Sequence, residues 1–429
     1  MRRISPATGV RGRVAPPGDK SISHRAAIFG ALSRSGIEVE NFSPGADCAS
    51  TLRCLKLLGC DVDRKGDRAR VSCEVLREPE EVLDAGNSGT TARLLCGFIA
   101  GAQDIFAVIT GDSSLRRRPM DRVARPLLAM GASITGREHG NKLPLALRGR
   151  RLSGGEHILP VASAQVKSAL LIAGLSAQGS TTVIEPAPTR NHTELLLNYL
   201  GVPIESEGNR VTVYPCCDLP GGKWRIPGDF SSAAFWIVAA AILPESELLV
   251  EGVGVNPTRT GLLSVLKRMG LNIEMRERGT SGGEPVADIL VKSSSLEGTK
   301  VTPDEVSLMI DELPILAVAA ARAKGLTEVR GAVELRVKES DRIRSMAVGL
   351  RKLGVDIEEL PDGWKIRGPA EIAGGRVRSY GDHRVAMALT VAALFSAEPV
   401  EIAGDACVDI SYPGFFDVLE RLSLRRENL

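Results

Sequence analysis

The sequence predicts an α/β protein that is built from six repeats of about 70 residues and divided into two domains. Two patterns and the length of the chain lead to this prediction. A Leu-Gly or Met-Gly pair ends a helical pattern at near-regular intervals, and each interval also contains a second, more apolar helix that begins at a polar cluster. At 429 residues, the chain is longer than one ordinary hydrophobic core supports.

The first pattern marks the end of an amphipathic helix and the start of a short strand. Glycine directly after the last helical residues is a common helix stop, because it adopts a positive φ without strain. Residues 422–424, Leu-Ser-Leu, echo the pattern without a glycine and bring the number of repeats to six. The pairs are Leu58-Gly59, Met130-Gly131, Leu200-Gly201, Met269-Gly270 and Leu353-Gly354.

The second pattern is the apolar helix of each repeat. A β-rich stretch follows each of these helices, and a return strand usually follows the strand after the Leu-Gly pair. Each repeat is therefore predicted to run helix, strand, helix, strand, strand. The polar clusters that begin the helices are at residues 18–21, 86–90, 162–165, 228–232, 311–314 and 381–384.

The domain boundaries follow from the sixth repeat, which lacks a return strand. Residues 2–14 precede the first repeat and belong to none, so we expect this N-terminal segment to complete the sixth repeat. Both termini would then lie in one domain. The prediction is an inserted domain of residues 16–224, with repeats one to three, and a terminal domain of residues 1–15 and 225–429, with repeats four to six.

Composition excludes several classes of function. The 54 Lys and Arg nearly balance 52 Asp and Glu, and aromatic residues make up 4%, which argues against a nucleic-acid partner. We find no apolar run of membrane-spanning length and no signal peptide, and therefore expect a cytoplasmic protein without a membrane partner. The eight cysteines form no C-x-x-C motif and are expected to be reduced. A monomer is expected, because the repeats cover their own sheet edges.

The polar clusters are candidate anion sites, because helix N-termini present unpaired N–H groups and a positive dipole end. Lys20, Ser21 and Arg25 lie in the first cluster, which lacks the spacing of a Walker A loop. In the second cluster Asn87 and Gly89 permit close backbone approach, and Arg118 ends a nearby run of three arginines. Any one of these clusters taken alone is more often an ordinary helix cap, but six clusters at the same place in six repeats favour an anion site.

Acid and base candidates come from the fifth and sixth repeats. Asp311 is predicted to cap a helix, and Glu339 and His383 begin helical segments rich in arginine. An ordinary helical ion pair is the alternative interpretation for Glu339 and Arg342, which are three residues apart. The remaining histidines do not have the spacing of metal ligands, so no metal is predicted.

Taken together, these motifs closely resemble those of the 5-enolpyruvylshikimate-3-phosphate synthase family. They span almost the whole chain in the family's order. The matching segments are Pro17–Arg25, Asp84–Leu94, Arg118–Met120, Ser163–Ala169, Arg336–Arg342 and Asp382–Arg384.

The resemblance implies both a fold and a reaction. The fold is a two-domain inside-out α/β barrel, in which each domain has three βαβαββ units with helices inside and sheets outside. The reaction transfers the enolpyruvyl group of phosphoenolpyruvate to the 5-hydroxyl of shikimate 3-phosphate and releases inorganic phosphate. It is an addition and elimination through a tetrahedral intermediate and needs no cofactor. We expect an open state that closes when the first substrate neutralises the cationic groups.

The resemblance also implies residue roles. Asp311 accepts the proton of the 5-hydroxyl, Glu339 gives and takes the proton at C3, and Lys20 assists the leaving phosphate. Residues implied to bind shikimate 3-phosphate are Lys20, Ser21, Arg25, Ser163, Ala164, Gln165, Arg190, Asp311 and Lys338. Residues implied to bind phosphoenolpyruvate are Lys20, Asn87, Gly89, Arg118, Gln165, Arg342, His383 and Arg384.

Two departures and two alternatives accompany the resemblance. Ile410 stands where many relatives have Lys, and Leu94 stands where plant-type enzymes have Pro. The nearest alternative is the related enolpyruvyl transferase that acts on UDP-N-acetylglucosamine, which has Lys-Asn in its first cluster and a loop cysteine. Here Ser21 follows the lysine, and no cysteine lies between Cys96 and Cys216. The other alternative is a non-catalytic repeat protein that binds anions at helix ends, in which the acids would be dispensable.

Overall fold

Contacts within the chain divide it into two units. The computed structural model describes residues 1–424. The inserted unit comprises Gly18–Ile226 and Thr280–Glu284, and the terminal unit comprises residues 1–17, 227–279 and 285–424. The stretch Thr280–Glu284 is the tip of a hairpin that the sequence assigned as a whole to the terminal domain.

The strands are β1 (Arg2–Ile4), β2 (Gly9–Val14), β3 (Ile37–Glu40), β4 (Asp61–Lys65), β5 (Arg68–Ser72), β6 (Leu83–Asp84), β7 (Phe106–Thr110), β8 (Ser133–Gly136), β9 (Lys142–Arg148), β10 (Leu152–Ile158), β11 (Ala177–Ile184), β12 (Ile204–Glu207), β13 (Arg210–Val213), β14 (Gly222–Arg225), β15 (Glu247–Gly254), β16 (Asn272–Ser281), β17 (Glu284–Lys292), β18 (Lys300–Val301), β19 (Gly325–Val329), β20 (Asp356–Leu360), β21 (Gly363–Gly368), β22 (Gly375–Arg378), β23 (Val400–Ala403) and β24 (Ser423–Leu424).

The α-helices are α1 (Lys20–Gly30), α2 (Ala46–Leu57), α3 (Gly89–Gly101), α4 (Asp121–Ala129), α5 (Arg137–Gly140), α6 (Ala164–Gly174), α7 (His192–Tyr199), α8 (Phe230–Ile242), α9 (Gly261–Arg268), α10 (Pro303–Val306), α11 (Leu313–Arg322), α12 (Arg342–Lys352), α13 (His383–Ala393) and α14 (Phe415–Leu422). Short 3-10 helices cover Leu115–Arg117, Val333–Val337 and Asp405–Ile410.

One strand order recurs in five of the six sheets of the described chain. In the sheet β6-β7-β9-β8, β7 is parallel to β6 and antiparallel to β9, and β8 is antiparallel to β9. This order confirms the predicted βαβαββ repeat. The same order occurs in β14-β3-β5-β4, β10-β11-β13-β12, β18-β19-β21-β20 and β2-β15-β17-β16, the last extended by β24 beyond β2.

Two repeats take their first strand from a distant part of the chain. β14 directly precedes the fourth repeat, but it pairs in parallel with β3 of the first. β2 directly precedes the first repeat, but it pairs in parallel with β15 of the fourth. The first strands of these two repeats are therefore exchanged, and each covers an edge that its sheet would otherwise leave open.

The N-terminal segment is divided between two sheets. β1 is antiparallel to β23, in the position that the return strand holds in the other repeats. β2, which the sequence assigned to the same sixth repeat, lies in the sheet of the fourth repeat instead, where it is the parallel neighbour of β15. β24 follows it there and pairs antiparallel with β2.

Three helices in each unit form its interior. They are α1, α3 and α6 in the inserted unit and α8, α11 and α13 in the terminal unit. Every residue of α8 is buried, and a helix that is apolar all round belongs in a protein interior. Among residues 1–424, none of the helices has the length and apolarity needed to cross a membrane.

The predicted helix stops are confirmed. Each glycine of the five Leu-Gly or Met-Gly pairs follows the C-cap residue of its helix and has a φ between +75° and +100°. Each stop turns the chain into the strand that begins the hairpin at the edge of the sheet. The glycines therefore set the length of the outer helices.

Gly97 allows the inner helices α3 and α6 to touch. A methyl carbon at this position would lie 2.7 Å from the carbonyl carbon of Ala169 and 2.8 Å from its Cα. Both atoms belong to the backbone of α6, which cannot rotate away as a side chain could. The absence of a side chain at Gly97 therefore sets the spacing of the two helices.

We expect Gly97→Ala to lower the free energy of unfolding by about 2–3 kcal/mol, because the added methyl group overpacks the contact between α3 and α6. Urea unfolding followed by circular dichroism measures the change. Lys56→Ala, at an exposed position of α2, is the matched control and should change stability by less than about 0.5 kcal/mol. Equal stability of the two variants would contradict the proposed helix contact.

Candidate active site

The predicted anion sites of the inserted unit lie at the N-termini of its three inner helices. The side chain of Asp19 accepts a hydrogen bond from the Ile22 N–H at 3.0 Å, and Ser88 caps α3 in the same way. Ser163 accepts from the Val166 N–H at 3.4 Å, so Ala164 and Gln165 form the first turn of α6. Capping satisfies part of each helix terminus and leaves the remaining N–H groups of the first turn for a ligand.

Lys20 is the first residue of α1 and lies beside a carboxylate that was not predicted from the sequence. Its Nζ is 3.0 Å from Oδ2 of Asp47, which is the second residue of α2. The Lys20 side chain keeps 17% of its surface exposed. The ammonium group is therefore oriented by Asp47 and still accessible.

Arg25 lies one turn further along α1 and is almost fully buried. Its guanidinium donates to Oγ of Ser168 at 2.6 Å, to Oγ1 of Thr193 at 2.8 Å and to the carbonyl of Ser21 at 2.8 Å. Burial lowers the pKa of Arg25 to about 10, so the group remains a cation at neutral pH. Three of its five N–H donors are used by these bonds.

The second cluster brings Asn87, Gly89 and two arginines together. Oδ1 of Asn87 accepts from Arg118 at 2.7 Å. A methyl carbon at Gly89 would lie 2.7 Å from Nη1 of Arg93, so glycine leaves room for that guanidinium. Arg93 was part of the matching motif but was not assigned to the site, and it donates to Oε1 of Gln165 at 2.6 Å. It therefore fixes the orientation of the Gln165 amide.

Arg190 belongs to a segment that is anchored on both sides. Thr189 before it donates to Glu185, and Nδ1 of His192 after it lies 2.6 Å from Oε1 of Glu284, at the hairpin tip. Glu194 pairs with buried Lys167 at 2.7 Å. These contacts hold the backbone on either side of Arg190.

His24 occupies the interior between Lys20 and Arg25. Its Nδ1 is 2.7 Å from Oγ1 of Thr51, and its Nε2 has no hydrogen-bond partner among the described residues. Burial lowers the pKa of His24 to about 3; Lys20 and Arg25 act in the same direction, while Asp47 opposes them. The imidazole is therefore neutral at physiological pH.

Arg342 is the centre of the charged cluster in the terminal unit. It is the first residue of α12, its side chain is 1% exposed, and it contacts three carboxylates. The distances are 3.1 Å to Oδ1 of Asp311, 2.7 Å to Oε2 of Glu339 and 2.8 Å to Oδ2 of Asp382. Burial alone would lower the pKa of Arg342, but the three carboxylates outweigh it and raise the pKa.

Asp382 anchors this cluster from the N-terminus of α13. It accepts from the backbone N–H of Arg384 at 2.9 Å and from Oγ of Ser340 at 3.1 Å. Burial would raise the pKa of Asp382, but the positive charge of Arg342 holds the pKa below its usual value. Asp382 was recognised from the sequence only as part of a motif, and its contact with Arg342 was not predicted.

Asp311 was predicted to cap α11, and this is wrong. The N-cap residue is Glu312, whose side chain does not cap the helix. Asp311 lies one residue earlier, where its carboxylate reaches Arg342 and its backbone oxygen accepts from Nη1 of Arg384 at 3.0 Å. Its carboxylate is 15% exposed and therefore accessible to a ligand.

The other predicted residues of the terminal unit lie near the same cluster. Glu339 contacts Arg342 from the segment before α12, so this pair does not lie within one helix as the alternative interpretation required. His383 is the first residue of α13 and is buried, and Lys338 is half-buried. Within residues 1–424 no group of His, Cys, Asp and Glu has an arrangement that could hold a metal ion.

This chain is similar in sequence to a family of known enzymes. The family model "EPSP synthase (3-phosphoshikimate 1-carboxyvinyltransferase)" matches residues 4–419. A 3-phosphoshikimate 1-carboxyvinyltransferase of Desulforudis audaxviator is 52% identical, over 98% of this chain and 99% of the relative. One of Thermus thermophilus is 51% identical over 98% of both chains.

Solved structures agree with the sequence comparison. The EPSP synthase of Acinetobacter baumannii superposes with a TM-score of 0.88 at 42% identity, over 99% of this chain and 98% of that one. The enolpyruvyl transferase NikO of Streptomyces tendae has a TM-score of 0.79 at 18% identity, over 98% and 96%. The second likeness concerns the fold alone. Together they confirm the predicted two-domain inside-out α/β fold.

We expect the neutral state of His24 to make stability depend on pH. The unfolded chain binds a proton at this histidine below about pH 6.5, whereas the folded protein does not until about pH 3. The stability present above pH 6.5 is therefore lost as the pH falls, by about 2 kcal/mol between pH 7 and pH 5. His24→Gln should lack this component, which urea unfolding at several pH values measures.

The control for this experiment is His139→Gln, at an exposed histidine of the same unit. Whatever its effect on absolute stability, its pH dependence should follow that of the wild type. A His24→Gln variant with the same pH dependence as the wild type would show that burial of this imidazole does not contribute.

Proposed function

The chain belongs to the EPSP synthase (3-phosphoshikimate 1-carboxyvinyltransferase) family, and from this premise we propose which of its residues carry the reaction. The protein transfers the enolpyruvyl group of phosphoenolpyruvate to shikimate 3-phosphate and releases inorganic phosphate. One observation carries the assignment of residues. Asp311 and Glu339, the two acids with proposed proton-transfer roles, contact the same buried arginine, Arg342.

We propose that shikimate 3-phosphate is held by cations and by the first turns of helices. Arg25 has two N–H donors beyond its three hydrogen bonds, and Lys20 is oriented yet accessible. Arginine suits phosphate because its planar donors bind two oxygens at once. The proposed set is Lys20, Ser21, Arg25, Ser163, Ala164, Gln165, Arg190, Asp311 and Lys338.

Phosphoenolpyruvate is proposed to bind a second set of cations. Its phosphate and carboxylate require several donors, and Gly89 permits backbone approach beside Arg93 and Arg118. Arg342 and Arg384 supply charge from the terminal unit, where the Asp382 carboxylate pairs with Arg342 and the backbone oxygen of Asp311 accepts from Arg384. The proposed set is Lys20, Asn87, Gly89, Arg118, Gln165, Arg342, His383 and Arg384.

The proposed mechanism is addition followed by elimination. Asp311 accepts the proton of the 5-hydroxyl while that oxygen bonds to C2 of phosphoenolpyruvate, and Glu339 donates a proton to C3. The product is a tetrahedral intermediate that carries the phosphate on C2. Glu339 then takes a proton back from C3, the double bond re-forms, and the C2–O bond to phosphate breaks. Lys20 stabilises the negative charge on the leaving phosphate.

The contact with Arg342 explains how the two acids stay in place. A guanidinium presents donors in a fixed plane, so Asp311 at 3.1 Å and Glu339 at 2.7 Å are held at defined positions by one rigid group. Asp382 fixes that guanidinium from behind at 2.8 Å. Proximity and orientation of this kind are a large part of catalysis between two substrates.

The alternatives from the sequence are set aside by the family membership. Relatives at 51% and 52% identity are named for shikimate 3-phosphate and cover nearly the whole chain. The monomeric state and the cytoplasmic location stay predictions.

The reaction itself is tested by measuring phosphate release. We expect the purified protein to release phosphate from phosphoenolpyruvate when shikimate 3-phosphate is present and not when either substrate is left out. UDP-N-acetylglucosamine in place of shikimate 3-phosphate should give no release. Release with that sugar nucleotide alone would overturn the function.

Asp311→Asn tests the proposed base. We expect kcat to fall by about 10³-fold, because the amide cannot accept the hydroxyl proton. Binding of shikimate 3-phosphate, measured by calorimetry, should change by less than about threefold. The control is Asp304→Asn, at an exposed position of α10, which should leave both quantities unchanged. Near-normal turnover of Asp311→Asn would rule out this residue as the base.

A further inference from the structure

Glu312 is a fully buried carboxylate that the proposed mechanism does not use. It directly follows Asp311 in the chain, and its side chain is 0% exposed. Oε1 accepts a hydrogen bond from the hydroxyl of Ser231, on α8. Oε2 has no hydrogen-bond partner among the described residues. A carboxylate in this environment is costly to bury, and its presence needs a physical reason.

Two arginines share the charge of Glu312. Nη1 of Arg259 and Nη1 of Arg384 each lie 3.8 Å from its Oε1. Arg259 is itself 3% exposed and is held by Oγ of Ser231 at 2.8 Å and by Oδ1 of Asp229 at 3.3 Å. Glu312 therefore cannot follow Arg384 if that side chain moves, because Ser231 and Arg259 hold the carboxylate on the other side.

The arrangement fixes the guanidinium of Arg384 between two acidic residues. Nη1 donates to the backbone oxygen of Asp311 at 3.0 Å, and Nη2 lies 3.8 Å from the Asp311 carboxylate. Glu312 provides the second negative charge, at Nη1. Without it, the Asp311 carboxylate would be the nearest remaining negative charge to Arg384 among the described residues, and the guanidinium would be drawn towards the proposed base.

We propose that Glu312 is a positioning residue for Arg384 and, through it, for the binding of phosphoenolpyruvate. The proposal rests on the assignment of Arg384 to phosphoenolpyruvate made above. Replacing buried ion pairs by apolar residues is often neutral or stabilising, so stability alone does not account for a group of this kind. A role in orienting one ligand-binding cation does account for it, because an arginine binds an anion well only when its planar donors point correctly.

Steady-state kinetics of Glu312→Gln test the proposal. The amide keeps the size of the side chain and removes its charge. We expect the KM for phosphoenolpyruvate to rise about tenfold, while the KM for shikimate 3-phosphate and kcat stay within about threefold. If Glu312 had only a structural role, the variant would contain a smaller fraction of active enzyme, and the KM for phosphoenolpyruvate would not rise. An unchanged KM for phosphoenolpyruvate, or an equal rise for both substrates, would overturn the proposal.

The double variant shows whether Glu312 acts through Arg384. Arg384→Lys alone should raise the KM for phosphoenolpyruvate, and Glu312→Gln should add less than about twofold in that background. Independent, multiplying effects would contradict a positioning role. If Arg384→Lys leaves this KM unchanged while the wild type is active, the assignment of Arg384 to phosphoenolpyruvate is wrong. If the wild type itself releases no phosphate, the function proposed for the protein is wrong.

Ser231→Ala provides a second test, and Glu305→Gln provides a control. Ser231→Ala removes the hydroxyl that holds Glu312 and should raise the same KM about threefold, so it decides the question if Glu312→Gln does not fold. An unchanged KM in Ser231→Ala would then count against the proposal. Glu305→Gln is the matched control: it removes a carboxylate that pairs with Arg268 at 2.7 Å, and it should change neither KM.

Discussion

The apolar character of the inner helices is the constraint on which the rest of this structure depends. A helix such as α8, buried along its whole length, has no side where a polar residue could reach water. The polar side chains of α8, Ser231 and Ser232, therefore lie in its first turn, where N–H groups already need partners. Repetition of the same unit places such an end in every repeat. A scaffold of this kind concentrates charge at a few places without interrupting its core.

Charge at these ends persists because the groups neutralise one another. Three carboxylates surround the guanidinium of Arg342. Nζ of Lys167 lies 2.6 Å from a carboxylate oxygen of Glu185 and 2.7 Å from one of Glu194. His24 instead remains neutral, because burial lowers its pKa. Buried networks of this kind fix side-chain positions more tightly than surface pairs do, because solvent does not compete for the donors.

The repeat, its helix starts and the residue types at those starts were predictable from local signals. The Leu-Gly stops and the apolar helices that begin after Asp or Ser are each recognisable within a few residues of sequence. The six repeats could therefore be counted from the sequence. The exchange of β2 and β14 has no local signal, since each strand pairs with a strand of a distant repeat and not with the repeat that follows it in sequence. Asp47 and Arg93 were missed for a similar reason: their importance comes from contacts with Lys20 and Gln165 that only the fold creates.

The exchanged strands also determine when each part of the protein can fold during synthesis. The first sheet needs β14, so its edge stays open until the ribosome has delivered residues 222–225, long after its other strands have emerged. β2, made almost first, waits for β15. An N-terminal fragment that stops before residue 222 therefore exposes an unpaired strand edge, which invites aggregation. The nascent chain consequently depends on translation reaching beyond its midpoint before either unit can close.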